Sequence, residues 1–197
     1  WQRFALDWRA LYQPAMEPIR SGERPFTKLD VLHWENLDQI VEKYGFSGLP
    51  EAEIDDLNRV WHRLDPWPDA VEGLALLKIE FIIGPHSNGN ISLIVDMAKN
   101  AGLPWDVILG AEVAQAYKPM PESYDRCCAA LDRPPAQVMM VAAHNGDLRA
   151  ARARGMRTAF VARPIEYAVD QTTDLEAEED WDYVAESFVD LARQLGC

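Results

Sequence analysis

The chain has 197 residues, enough for one large or two small domains, and its 48% hydrophobic and 26% charged content is an ordinary globular balance that allows a real core. A net charge of -13 gives no basic footprint for nucleic acid and opposes adsorption to anionic membranes, yet it leaves room for a small anionic substrate where a few cations dominate one pocket. No apolar run is long enough to span a bilayer and no signal-peptide pattern is present.

In chain order, the first third reads as helices. Trp1, Phe4, Ala5, Trp8, Leu11 and Tyr12 recur at helical spacing, as do Leu37, Ile40, Val41 and Tyr44, and then Ile54, Leu57, Val60, Trp61 and Leu64. Pro14, Pro18, Gly22, Pro25, Gly45, Gly48 and Pro50 punctuate these runs. Pro66, Trp67 and Pro68 mark a break, which divides a helical unit at 1–66 from a second unit at 67–197. There the pattern changes to short apolar runs typical of buried parallel strands, at 81–84, 107–110, 138–141 and 158–161. Between them lie helices: one carries Ile91, Ile94, Val95 and Ala98 and is capped by Gly102, one starts at the prolines 119 and 121, and one runs over 147–154 to Gly155. The acidic stretch 174–182 reads as a solvated loop and 184–195 as a closing helix. Strand and helix alternate, so the fold class is α/β: a Rossmann-like parallel sheet with helices on both faces, preceded by a helical cap. Cys127 and Cys128 are neighbours and Cys197 is the last residue, a pattern that gives no disulfide framework and suits a reducing, cytoplasmic compartment.

Ligands of open α/β sheets bind at the carboxyl ends of the strands. That rule selects three loops. The first holds His86, Ser87, Asn88, Gly89 and Asn90, the second Tyr117, Lys118 and Pro119, and the third Ala143, His144, Asn145, Gly146 and Asp147. Together they offer a hydroxyl, an amide, a cation, an imidazole and a carboxylate. Each has a plainer reading. Ser87 and Asn88 are also good caps for the next helix, Lys118 a surface lysine, Asp147 an N-cap and His144 a hydrogen-bonded structural histidine. What favours a site is that all three sets fall at strand ends in the order the fold requires.

These residues resemble the haloacid dehalogenase superfamily, and within it the L-2-haloacid dehalogenases. Ser87-Asn88-Gly89 resembles motif two, Tyr117-Lys118-Pro119 with Tyr124 resembles motif three, and Val141 to Asp147 resembles motif four. The helices ahead of Pro66 are similar to that family's cap. Motif one, a strand ending in an Asp nucleophile, has no counterpart here; the chain opens at Trp1 inside a helical pattern, so the nucleophile is expected upstream of residue 1. The resemblance puts that strand between the strands at 81–87 and 138–143, where the sheet should be divided. Two departures stand out: His144 and Ala142 occupy places where the best-known relatives carry Asn and Ser.

The resemblance implies hydrolytic dehalogenation of small L-2-haloacids through an aspartyl ester. In it Lys118 keeps the nucleophile ionised, Asp147 holds Lys118, Ser87 and Asn88 bind the substrate carboxylate, and His144 orients or deprotonates the hydrolytic water. Tyr124, beside Lys118, joins the candidates. A cap arginine, Arg9 or Arg3, receives the halide, with Arg9 preferred. Trp8 and Tyr12 either wall the cavity or pack the cap core. No metal or other cofactor is expected, because Ala143 stands where a metal-dependent phosphatase of this fold carries a second acid. The partner is the haloacid itself, in a homodimer. The alternatives are a phosphatase of the same superfamily and a non-catalytic chain that keeps this fold as a binding or dimerisation module.

Overall fold

The computed structural model describes residues 1–166 and 171–197. Residues 1–66 carry α1 (Gln2–Ala10), α2 (Tyr12–Arg20), α3 (Leu29–Val41), α4 (Glu51–Asn58) and a 3-10 turn at Arg59–Arg63, with no strand among them. The stripe that reads as continuous from Trp1 to Tyr12 is broken at Leu11, where the N–H turns back to the Trp8 carbonyl at 3.1 Å. Proline lacks an N–H and is tolerated only in a helix's first turn without breaking the ladder. Restarting at Tyr12 puts Pro14 in that first turn.

The restart gives α2 its own direction. Phe4 and Trp8 of α1 pack with Leu37 and Ile40 of α3 and Ile54 of α4. Met16 and Ile19 of α2 pack instead with Leu29 and Leu32 of α3 and with Ala111 and Tyr117 of the second unit. Thus α2 is shared between the two layers.

The second unit runs α5 (Ala70–Glu80), β1 (His86–Ser87), α6 (Ile91–Ala101), β2 (Leu109–Gly110), α7 (Ala111–Ala114), α8 (Pro121–Ala130), β3 (Met139–Ala142), α9 (Asn145–Ala153), β4 (Arg157–Val161), β5 (Tyr183–Ala185) and α10 (Phe188–Leu195). Every strand pairing is parallel, β1 with β2 and β4 between β3 and β5. Among the described residues nothing pairs β1 with β3, so the strands form two sheets, divided between the first and third strands.

Two expectations need correction. The apolar run at 81–84 is not the first strand: Phe81 and Ile82 are exposed and the ladder begins at His86. The Asp106 side chain takes the Ile83 N–H at 3.0 Å in place of a strand carbonyl, and Pro85 has no N–H to offer. The segment 184–195 is not one helix. Tyr183–Ala185 joins β4 as a strand, and α10 starts only where the Ser187 hydroxyl accepts the Asp190 N–H at 3.0 Å. The acidic stretch 174–182 is the exposed loop expected, with two additions. Its Glu178, Glu179 and Asp180 pair with Arg149 and Arg152 of α9, and Trp181 is buried in the core.

Close approach of α10 to α5 depends on Gly73. A Cβ there would lie 2.3 Å from the Phe188 Cβ and 2.6 Å from its carbonyl carbon. Backbone cannot step aside as a flexible side chain does. Gly73→Ala is therefore expected to destabilise the chain by about 3 kcal/mol, read as a lower urea midpoint at unchanged m-value.

Candidate active site

The carboxyl ends of β1 and β3 and the loop before α8 converge on one buried ion pair. Lys118 Nζ lies 2.5 Å from Asp147 Oδ2, with side chains only 20% and 12% exposed. The Tyr124 hydroxyl donates to the other oxygen, Asp147 Oδ1, at 2.7 Å. Asp147 lies in the first turn of α9, where unpaired backbone N–H groups favour negative charge. Its N-capping alternative is excluded, because His144 occupies that position.

Burial pushes the Asp147 carboxyl up, but the Lys118 charge, its hydrogen bond and that of Tyr124 overcome it and hold the group below the usual 3.8. Burial and the adjacent Asp147 charge drive the Tyr124 phenol far above its ordinary value, so it remains a donor. His86, buried against Tyr124 and 3.0 Å from Ser123 Oγ, is held down at about 4 by burial and by the Lys118 charge. It is neutral at pH 7 and adds no second cation.

Ser87 and Asn88 do not cap the next helix; Asn90 takes the N-cap position of α6. Ser87 Oγ accepts the Gly89 N–H at 2.9 Å, which leaves its own O–H to donate. Asn88 Oδ1 accepts the Lys118 N–H at 2.9 Å, and its Nδ2 donates to the Tyr12 hydroxyl at 3.1 Å. Gly110 lets Ser87 sit here. At its φ of +124° a Cβ would meet the Ser87 carbonyl oxygen at 2.1 Å, so only glycine permits the β1–β2 approach.

His144 sits at the mouth, its Nε2 3.0 Å from Glu166 Oε2. The hydrogen bond to Glu166 outweighs burial and raises its pKa above 6.5. Of the cap arginines, Arg3 lies outside the cluster: it is 81% exposed and pairs with Asp7. The Arg9 guanidinium lies 4.1 Å over the Tyr12 ring, one residue removed from Asn88. Trp8 is buried in the cap core and donates to the His33 carbonyl, whereas Tyr12 reaches the site. Sequence reasoning missed Arg20, whose Nη2 donates to the Lys118 carbonyl at 2.6 Å. Nothing local marks it, since the contact spans 98 residues. Among the described residues no group of three His, Cys, Asp or Glu side chains is placed to hold a metal ion.

Comparison with known proteins shows the family. Residues 7–155 match the family model of the haloacid dehalogenase-like hydrolases. A curated (S)-2-haloacid dehalogenase of Xanthobacter autotrophicus is 32% identical over 116 residues, a match that spans 57% of this chain and 45% of that relative. The solved structure of the L-2-haloacid dehalogenase PA0810 superposes with a TM-score of 0.92 at 47% identity, covering 96% of this chain and 83% of that one. That of the defluorinating L-2-haloacid dehalogenase Rha0230 superposes with a TM-score of 0.96 at 51% identity, covering 99% and 80%.

The depressed Asp147 pKa has a consequence for acid stability. A carboxyl whose folded pKa lies below its unfolded value stabilises above the unfolded value, and that contribution is lost as pH falls through the folded one. The stability difference between the wild type and Asp147→Asn should be largest above the ordinary value of 3.8 and shrink steadily below it. Urea melts across that range check this; a difference independent of pH would contradict the ion pair.

Proposed function

The chain belongs to the haloacid dehalogenase-like hydrolases, and we propose that it carries the cap and most of the catalytic core of an enzyme that converts small L-2-haloacids to 2-hydroxyacids. The observation that carries this reading is the mostly buried Lys118–Asp147 pair near the strand ends, with the Asn88 amide bonded to the Lys118 main chain. A cap over 1–66 closes on a core over 67–197. The nucleophilic aspartate comes from outside residues 1–197, on a strand that joins the two sheets between β1 and β3 and ends beside Lys118.

The roles follow from charge. Displacing a halide needs an ionised carboxylate, and a cation beside it keeps it ionised at neutral pH. Lys118 supplies that cation. Asp147 and Tyr124 fix the direction of the lysine: three donors on a rotating ammonium are aimed by one carboxylate, which is itself aimed by a phenol. Ser87 donates its free O–H to the substrate carboxylate, and Asn88 holds the adjacent wall. His144, at the mouth and backed by Glu166, orients the water that opens the aspartyl ester. Of the two arginines weighed for the halide, Arg9, on the Tyr12 ring, is the nearer to this cluster and takes the departing halide; Arg3 is set aside.

The substrate bears one carboxylate charge and its leaving group is a halide, so placed donors and a guanidinium suffice without a divalent metal. Asp147 is already engaged by a lysine, and Ala143 brings no second carboxylate, a poor set for octahedral Mg²⁺. The reading places the enzyme in the cytoplasm, in keeping with its three free thiols, as a homodimer.

The test is halide release from the enantiomers of 2-chloropropionate by the full-length enzyme, in excess chelator and again with added magnesium. Release from one enantiomer at the same rate in both is expected. Activity that needs magnesium gives the lead to the phosphatase alternative. Lys118→Ala should lower kcat by at least about 10³-fold with the circular dichroism spectrum unchanged, the scale for losing a group that acts in the transition state. Near-normal turnover would take Lys118 out of the mechanism.

A further inference from the structure

Arg20 presents an anomaly. It ends α2 with a side chain 14% exposed, yet among the described residues its one carboxylate partner, Glu17, lies 3.6 Å away and is itself 68% exposed. Its Nε is buried without an acceptor. Desolvating a guanidinium this far without a close, buried counter-charge costs stability. The one strong bond it makes is to the main-chain carbonyl of Lys118.

That bond closes a circuit. Tyr12, the first residue of α2, accepts from Asn88 Nδ2; Asn88 Oδ1 accepts the Lys118 N–H; the Lys118 carbonyl accepts from Arg20, the last residue of the same helix. One rigid cap helix thus pins both polar groups of the Lys118 main chain, directly through Arg20 and through Asn88 from Tyr12. The side chain then extends to Asp147 from a fixed origin.

We infer that Arg20 is a positioning residue for Lys118, coupling the seating of the cap helix to the geometry of the Lys118–Asp147 pair. The inference deepens the dehalogenase reading and rests on it for its kinetic arm alone. Asp147 faces Lys118, Tyr124 of α8, His86 of β1, Tyr12 of α2 and, at the start of its own helix, His144. Of these, Lys118 is the one Arg20 holds. When the carbonyl is released the lysine loosens, and the carboxyl loses part of the charge that keeps it low.

The experiment is a carboxyl-carbon NMR titration of Asp147 in the full-length enzyme, assigned with Asp147→Asn, for wild type, Arg20→Met and Arg20→Lys. Arg24→Gln, which removes an exposed bridge to Glu35, is the control. Arg20→Met should move the Asp147 titration upward by about one unit, on the scale by which neighbouring charges shift carboxylates. It should also lower kcat on the order of tenfold with a smaller change in KM, because a misplaced group is felt at the reacting centre. Arg20→Lys, which keeps one donor, should fall between. Arg24→Gln should match wild type in both. A purely structural Arg20 would lower the melting temperature and leave the titration in place. If Arg20→Met does not fold, Arg20→Lys is read alone. An Asp147 titration identical to wild type in whichever variant folds overturns the inference. Should wild type release no halide, the dehalogenase reading fails while the titration still decides the role of Arg20.

Discussion

Two charges taken out of water hold this site together, and the surrounding structure is arranged to keep them together. Lys118 and Asp147 are each mostly buried, and burial alone would favour a neutral carboxyl. The ammonium wins because it is in direct contact and because Tyr124 satisfies the oxygen that Lys118 leaves open. A half-satisfied buried pair would be worse than an apolar one. The first turn of α9 adds the favourable end of a helix dipole. The pair joins the loop before α8 to the first turn of α9, so the loop cannot drift without separating charges in a low-dielectric setting.

The cap is fastened to the core at several points, two of which differ in chemistry. At the site the fastening is the circuit of Tyr12, Asn88, Lys118 and Arg20. Away from it, His62 reaches Asp96 of α6 through Nδ1 at 2.8 Å and Asp30 of α3 through Nε2 at 3.1 Å. Asn90, almost fully buried, donates to the second oxygen of Asp30 at 2.8 Å. The second fastening touches no group of the catalytic cluster. It fixes where the helical layer sits, and the first converts that placement into the position of one lysine.

Much of this was legible in the sequence, for identifiable reasons. Strands β3 and β4 were found within a residue or two because they are buried, apolar and followed by Gly or polar breaks, and α8 announced itself with prolines. Lys118, Asp147, Ser87 and Asn88 were named from their places at strand ends and Tyr124 from the resemblance; hydrogen bonds link Asn88 to Lys118, Lys118 to Asp147 and Asp147 to Tyr124. The run at 81–84 misled because apolar composition does not reveal that Asp106 replaces a ladder partner. The closing segment misled because Val184 suits helix and strand alike; the Ser187–Asp190 cap was the signal that separated them. The acidic stretch is the exposed loop expected, but its ion pairs were not legible because the arginine partners lie roughly 30 residues earlier, beyond any local pattern. Arg20 and Glu166 were missed for the same reason.

An acidic chain can still hold an anion because the two facts act at different ranges. The net charge is spread over an exterior where most arginines already face acids: Arg24 with Glu35, Arg63 with Asp56, Arg154 with Asp125 and Arg157 with Asp182. Those charges act through water and salt, and beyond a Debye length of about 8 Å they are largely screened. Inside the site the dielectric is lower and separations are a few ångströms, so one placed cation outweighs many distant carboxylates. Lys118 is committed to a carboxylate, which leaves the cluster near neutral before the reacting groups arrive. The surplus positive charge lies with the buried Arg20 behind the Lys118 carbonyl and with Arg9 on the Tyr12 ring. Both belong to the helical layer. The positive charge around the Lys118–Asp147 pair therefore comes from the cap side, and where the helical layer sits sets the local field.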